Sequence, residues 1–175
     1  LTEEQAKIQY GILSGKVDTL VTLPMSFNMA FATALVPAIS SSKAIGDIET
    51  VRKRVSFSML ISILIGMPCM TAMIIFAKPI LELLFPNATS GAFIYQISCL
   101  SIVFIVLEQI TSGALHGLGK VFVPAMALGV GVCFKLLLNL YLIPINTNEF
   151  ILGGTAGAAV ATVVCHAIAV SIELK

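Results

Sequence analysis

Five apolar runs, each about 20 residues long, constrain this chain more than any other feature, because a helix of that length crosses a bilayer. The runs do not alternate apolar with polar residues, and they are too long for transmembrane strands. They fall at about 17–39, 55–77, 92–115, 121–143 and 151–172. We therefore predict an all-α fold, a polytopic transmembrane helical bundle of about five spans in which 1–175 forms one transmembrane domain.

Composition excludes an ordinary water-soluble fold. The chain is 58% hydrophobic and 11% charged, whereas soluble domains carry roughly 25% charged residues. A soluble domain of this length could not bury so much apolar surface. The net charge of +1 gives no sign of a nucleic-acid partner. The cysteines fall in separate apolar segments without a CxxC pair, so we predict packing roles and no metal for Cys69, Cys99, Cys133 and Cys165.

The lysines and arginines near the span ends predict the orientation. With the N-terminus outside, the inside face collects Lys43, Arg52, Lys53, Arg54, Lys120 and Lys175, and the outside face collects Lys7, Lys16 and Lys78. This bias favours an outside start and an inside end.

The segment 45–55 precedes the second span and carries apolar residues at helical spacing among charged ones. This pattern predicts a short amphipathic helix at the cytoplasmic surface. Its basic residues either belong to a solvated loop and set the topology, or they bind lipid headgroups.

Polar side chains within spans are costly and usually face the interior of a bundle. The candidate substrate or cavity residues are therefore Lys135, Glu108, His166, Gln109 and Asn139. Glu108 and His166 each lie about 10 Å from the same end of their spans, so they could meet if their helices are neighbours. Lys135 lies nearer the midplane and could reach Glu108 or a water-filled cavity. These groups serve either an anionic substrate or proton coupling, or they merely hold helices together. Asp18 lies at the outer mouth of the first span, where an interfacial role is expected.

The backbone carries two further signals. Pro24, Pro37 and Pro68 interrupt the hydrogen-bond ladder in or near spans and predict kinks, either static or acting as hinges. Small residues at every fourth position of the last span predict close helix packing at Gly153, Gly157, Ala161 and Cys165.

Motifs of enzymes are missing from the sequence. It contains no P-loop, no GxSxG, no HExxH and no cluster with metal-ligand spacing. We therefore predict that the protein is not an enzyme and needs no cofactor.

Several short motifs, taken in order, resemble the multidrug/oligosaccharidyl-lipid/polysaccharide (MOP) exporter superfamily, and within it the stage V sporulation protein B and MurJ-like flippases. They are YGILSG (10–15), LVTLP (20–24), ALVPAIS (34–40), KPI (78–80), LLF (83–85), GALHGLGK (113–120), KLLLNLYLIP (135–144) and GGTAGAA (153–159). Each motif is weak alone, but together they cover essentially the whole chain.

The resemblance implies two six-helix halves around a central cavity, with this chain supplying helices eight to twelve. It implies a flippase for a lipid-linked anionic sugar precursor in cell-wall or spore-wall synthesis, with membrane lipids and the remaining helices as partners. It also implies that the cavity arginines of such flippases lie elsewhere, and that Lys135 alone could replace them here. The alternatives are a cation-coupled multidrug (MATE-type) exporter and a non-transporting membrane scaffold for cell-wall synthesis.

Overall fold

The structure is a computed structural model, and it describes residues 8, 11–85, 91–144 and 154–175. Regular structure in these residues is helical. A π-helical turn, Leu13–Val17, leads into the first long helix. The α-helices then follow in chain order as α1 (Asp18–Ala44), α2 (Ile48–Ile75), α3 (Ala77–Leu84), α4 (Ala92–Cys99), α5 (Ser101–Gly117), α6 (Phe122–Leu142) and α7 (Thr155–Glu173).

Five helices in the described part of the chain are long and apolar enough to cross a membrane, which confirms the predicted number of spans. They are Ser14–Ala44, Ile48–Ile75, Ala92–Gly117, Phe122–Leu142 and Thr155–Glu173. The third of them consists of α4 and α5, which meet at Leu100. The first two are longer than predicted, and the predicted start of the fifth at 151 lies outside the described residues.

The short helix expected at 45–55 does not end at residue 55. The chain makes a turn at Gly46, whose φ of 75° suits glycine, and α2 then runs without a break from Ile48 to Ile75. Asp47 caps the new helix: its carboxylate accepts hydrogen bonds from the Thr50 amide at 2.9 Å and from the Thr50 hydroxyl at 2.6 Å. With a cap at Asp47 and no glycine or proline before Gly66, nothing ends the helix at residue 55.

Helix α5 lies at the centre of the bundle, packed against α1, α2 and α7, whereas α6 joins the bundle mainly through α7. Glycines allow the closest approaches. A Cβ atom on Gly113 would lie 2.8 Å from the Ala32 carbonyl oxygen, and one on Gly131 would lie 2.7 Å from the Cys165 carbonyl oxygen. The backbones of α1 and α5, and those of α6 and α7, are therefore in contact.

Two apolar clusters stabilise the bundle, with a polar junction between them along α1 and α5. At the junction, the Asn28 amide group donates to Gln109 Oε1 at 2.8 Å and to the Val106 carbonyl at 3.0 Å. The Ser62 hydroxyl donates to Asn28 Oδ1 at 2.6 Å. One asparagine thus joins α1, α2 and α5, and its hydrogen-bonding groups are paired as burial in an apolar medium requires.

The outer faces of α2 and α6 are apolar and exposed. Leu64 is 70% exposed, Phe122 84% and Leu140 75%. Such surfaces suit lipid chains or further transmembrane helices rather than water.

Candidate functional site

A cavity of about 700 Å³ opens between α1, the α4–α5 span, α6 and α7. Helical periodicity explains its walls, because each helix contributes residues spaced three or four apart. Its polar lining residues are Ser14, Asp18, Thr22, Ser98, Ser101, Lys135, Asn139, Thr155 and Thr162. The remaining walls are apolar or small, as in ligand sites where a few polar groups fix orientation.

Two of the predicted cavity residues, Lys135 and Asn139, line this cavity one helical turn apart on α6. Lys135 is half-buried. The Asn139 Oδ1 atom is buried and accepts no hydrogen bond within the described residues. A buried acceptor without a partner is costly unless a ligand or water supplies a donor. The α6 face therefore offers a cation and a hydrogen-bond acceptor.

Asp18 also lines the cavity, where its negative charge and the positive charge of the Lys135 ammonium attract each other. The sequence alone had suggested an interfacial position for this residue. The difference arises because Asp18, Val21, Thr22 and Met25 occupy one stripe of α1, and that stripe faces the cavity. The cavity consequently holds one acidic and one basic group.

Glu108 and His166 meet at the interface of α5 and α7, outside the cavity. His166 Nδ1 lies 2.5 Å from Glu108 Oε2, and the Glu108 residue is only 6% exposed. The contact confirms the meeting expected from their similar depths. It also leaves Lys135 without the Glu108 partner that the sequence had allowed, because Lys135 faces the cavity instead.

Sequence reasoning missed Glu173, which belongs to the same interface. Its carboxylate accepts hydrogen bonds from the Thr111 hydroxyl and, at 2.7 Å, from the Ser112 hydroxyl. Glu173 is 7% exposed although it is the last residue of α7. The signal was present: Glu173 follows His166 by two helical turns, so both side chains lie on the same face.

Gln109 lies in the junction with Asn28 rather than in the cavity. The prolines lie inside continuous helices, Pro24 and Pro37 in α1 and Pro68 in α2. Their role as hinges stays a prediction.

The predicted packing ladder of α7 is buried at Gly157, Ala161 and Cys165, while Gly153 lies outside the described residues. Cys165 packs against Gly131 of α6, where a Cβ atom would lie 3.0 Å from the Cys165 Sγ atom.

Two of the predicted cytoplasmic bases hold helix ends together. The Lys43 ammonium donates to the Leu118 carbonyl at 2.6 Å, and the Arg54 guanidinium donates to the Ala38 carbonyl. The first contact gives a partner to a carbonyl group at the end of α5, and the second adds a donor to the Ala38 carbonyl, which also accepts the Ser41 and Ser42 hydroxyls. These contacts place the end of α1, the start of α2 and the end of α5 at one end of the bundle, as alternating spans require. Arg52 and Lys53 are exposed at the same end.

Long apolar helices around a cavity with inward polar groups define a multi-pass membrane protein. A family model described as MatE matches residues 15–141. The chain belongs to the MatE family, within the MOP exporter superfamily.

Three relatives come from Bacillus subtilis (strain 168). The chain is 29% identical to the uncharacterized membrane protein YabM over 171 residues, which is 98% of this chain and 30% of the relative. It is 31% identical to stage V sporulation protein B over 86 residues, or 49% of this chain and 17% of the relative. Sporulation protein YkvU is 31% identical over 77 residues, 44% of this chain and 17% of its own length. The chain therefore spans less than a third of the relatives it matches, and no solved structure matches it.

Proposed function

We propose that this chain is part of a flippase that moves a lipid-linked polysaccharide or peptidoglycan precursor across the bacterial cytoplasmic membrane. The observation that carries the proposal is the cavity of about 700 Å³ lined by Lys135 and Asn139. Its volume lies within the roughly 300–1,000 Å³ of ligand sites. Two relatives are named for sporulation, which agrees with a role in spore-wall or cell-wall synthesis.

The roles of the cavity residues follow from their chemistry. Lys135 attracts the phosphate of the precursor, because an ammonium within a membrane span is expensive unless it binds an anion. The unpaired Oδ1 of Asn139 accepts a hydrogen bond from a sugar hydroxyl or amide group. Hydroxyls from α1, α5 and α7 offer further hydrogen bonds to a sugar. The remaining helices of the complete protein close the cavity.

The cation-coupled multidrug exporter stays as the second candidate because Asp18 lines the same cavity. A carboxylate there suits a cationic drug, a proton or a sodium ion, whereas Lys135 would repel each of them. The two functions thus place opposite demands on this pair of residues.

Lys135 and Asp18 can be substituted one at a time in the complete protein. Lys135→Met should abolish precursor flipping in vesicles while Lys135→Arg retains it. Asp18→Asn should leave most of the flipping activity. Lys78→Met, which removes an exposed lysine of α3, is the matched control.

Unchanged flipping in folded Lys135→Met protein would refute the substrate role. Drug efflux that Asp18→Asn abolishes and Lys135→Met spares would instead establish the exporter. A folded protein that supports wall synthesis without either transport activity would point to the scaffold. Folding is followed independently by the melting temperature in detergent.

A further inference from the structure

A basic and apolar surface on the first turns of α2 has no part in the cavity. It borders an open depression of about 840 Å³ and is called here the α2 strip. Its members are Arg52, Lys53, Arg54, Phe57 and Leu60. Lys53, Phe57 and Leu60 follow one another at helical spacing, so they share one face of the helix.

The charges of the strip favour an anion. Arg54 donates to the Ala38 carbonyl with one nitrogen and has further donors. Lys53 pairs with Glu49 at 2.7 Å, but both side chains are more than 70% exposed, so the pair is weak. With Arg52, the depression holds three positive charges against the single negative charge of Glu49.

The order of polarity along the strip matches that of a phospholipid. Charged residues come first, and Phe57 (62% exposed) and Leu60 (63% exposed) follow further along the span. A lipid likewise has its phosphate at the membrane surface and its acyl chains deeper. The arginines and Lys53 directly precede the apolar part of α2, which places them at headgroup level.

We propose that the α2 strip binds an anionic phospholipid of the leaflet at this end of the bundle. Its phosphate contacts Arg52 and Lys53, and one acyl chain lies along Phe57 and Leu60. The site goes beyond the proposed function and does not depend on which substrate occupies the cavity.

Native mass spectrometry of the complete protein, titrated with phosphatidylglycerol or phosphatidylcholine, measures the affinity of the first bound lipid. Since each basic residue near an anionic surface contributes roughly fivefold in affinity, Arg52→Gln with Lys53→Gln should weaken phosphatidylglycerol binding about tenfold or more. Lys78→Gln with Lys120→Gln removes the same charge from exposed positions outside the strip and should change it little.

Glu49→Gln tests the effect of charge in the opposite direction. Removal of this carboxylate, which repels the phosphate, should strengthen phosphatidylglycerol binding. Phe57→Asn should weaken it without any change in charge. Free glycerol phosphate should not compete, since it has no acyl chain.

Equal affinity for phosphatidylcholine, equal losses in the two double variants, or full competition by glycerol phosphate would each overturn the proposal. So would a first bound lipid that Glu49→Gln leaves unaffected. All of the substitutions are on exposed side chains, so the variants should fold, and their melting temperatures check this.

Discussion

His166 Nδ1 lies 2.5 Å from Glu108 Oε2, and this contact joins α7 to the central helix α5. The carboxylate is almost fully buried, so the imidazole is its partner in place of water. The same interface holds Glu173, whose carboxylate accepts hydrogen bonds from the Thr111 and Ser112 hydroxyls of α5.

Replacement of His166 by Ala should destabilise the protein by about 1–3 kcal/mol, because it leaves a buried carboxylate unpaired. Glu108→Gln should cost less, since an amide oxygen still accepts a hydrogen bond from the imidazole. Unfolding in mixed micelles measures both, and a double-mutant cycle gives the coupling. A coupling energy of zero would show that the two side chains do not act as a pair.

Removal of the Thr111 hydroxyl should weaken the α5–α7 interface around Glu173. Thr111→Val keeps the shape of the side chain but leaves Glu173 with the Ser112 hydroxyl alone. The expected loss is about 1–2 kcal/mol in the free energy of unfolding. In the background of Glu173→Leu the same substitution should cost almost nothing, and an undiminished cost would contradict the assignment.

The two glycines Gly113 and Gly129 should respond oppositely to alanine. A Cβ on Gly113 would lie 2.8 Å from the Ala32 carbonyl oxygen, so Gly113→Ala should force α1 and α5 apart and cost about 1–3 kcal/mol. A Cβ on Gly129 meets nothing within 4 Å. Gly129→Ala should therefore be neutral or raise the melting temperature slightly. Equal effects at the two positions would show that the close contact between α1 and α5 is absent.

The cap at Asp47 should make the start of α2 sensitive to acid. The Thr50 hydroxyl, and then the Thr50 amide, donate hydrogen bonds that lower the pKa of Asp47. Because the folded pKa lies below the ordinary value, the cap stabilises the helix above about pH 4 and is lost as the pH falls through the lowered pKa. The protection factors of the first amides of α2, which compare hydrogen exchange with that of an unstructured chain at the same pH, should therefore fall in acid.

The same exchange experiment has two controls. Asp47→Asn retains a cap and should remove the dependence of the protection factors on pH, whereas Asp47→Ala should give low protection at every pH. A loss of protection in acid that persists in Asp47→Asn would assign the effect to another group.

The orientation predicts which face of the membrane the loop between α1 and α2 occupies. A cysteine introduced at Thr50, in a protein without its own cysteines, should resist impermeant thiol reagents added to intact cells. Labelling should appear once the membrane is opened. Rapid labelling of intact cells would reverse the assignment of the N-terminus to the outside.

The sequence was sufficient to predict the number of spans, because length and hydrophobicity decide which segments leave water. It also allowed Glu108 to meet His166 if their helices were neighbours, since depth in a membrane follows from the rise per residue. It could not predict the Asn28 junction or the cavity position of Asp18. Those features depend on how far each helix is rotated about its axis, which tertiary packing decides.

Two further differences between the predictions from sequence and the structure have local causes. A short helix at 45–55 was expected because its apolar residues recur at helical spacing among charged ones, whereas the cap at Asp47 starts a helix that continues into the span. Glu173 was overlooked because a carboxylate at the end of a span usually reaches water. In this bundle the hydroxyls of α5 extend beside it and keep it buried.

The attachment of α6 to the bundle through α7 has a consequence for biosynthesis. The chain is made from its N-terminus, so α6 enters the bilayer before its main packing partner has been synthesised. It carries Lys135 with it, a residue whose insertion costs about 2.5–3.5 kcal/mol near the centre of a helix. Asp18, on a helix that has already been inserted, is the acidic side chain that lines the same cavity as this lysine. Because α1 is synthesised before α6, Asp18 can pair with Lys135 while α7 is still being translated.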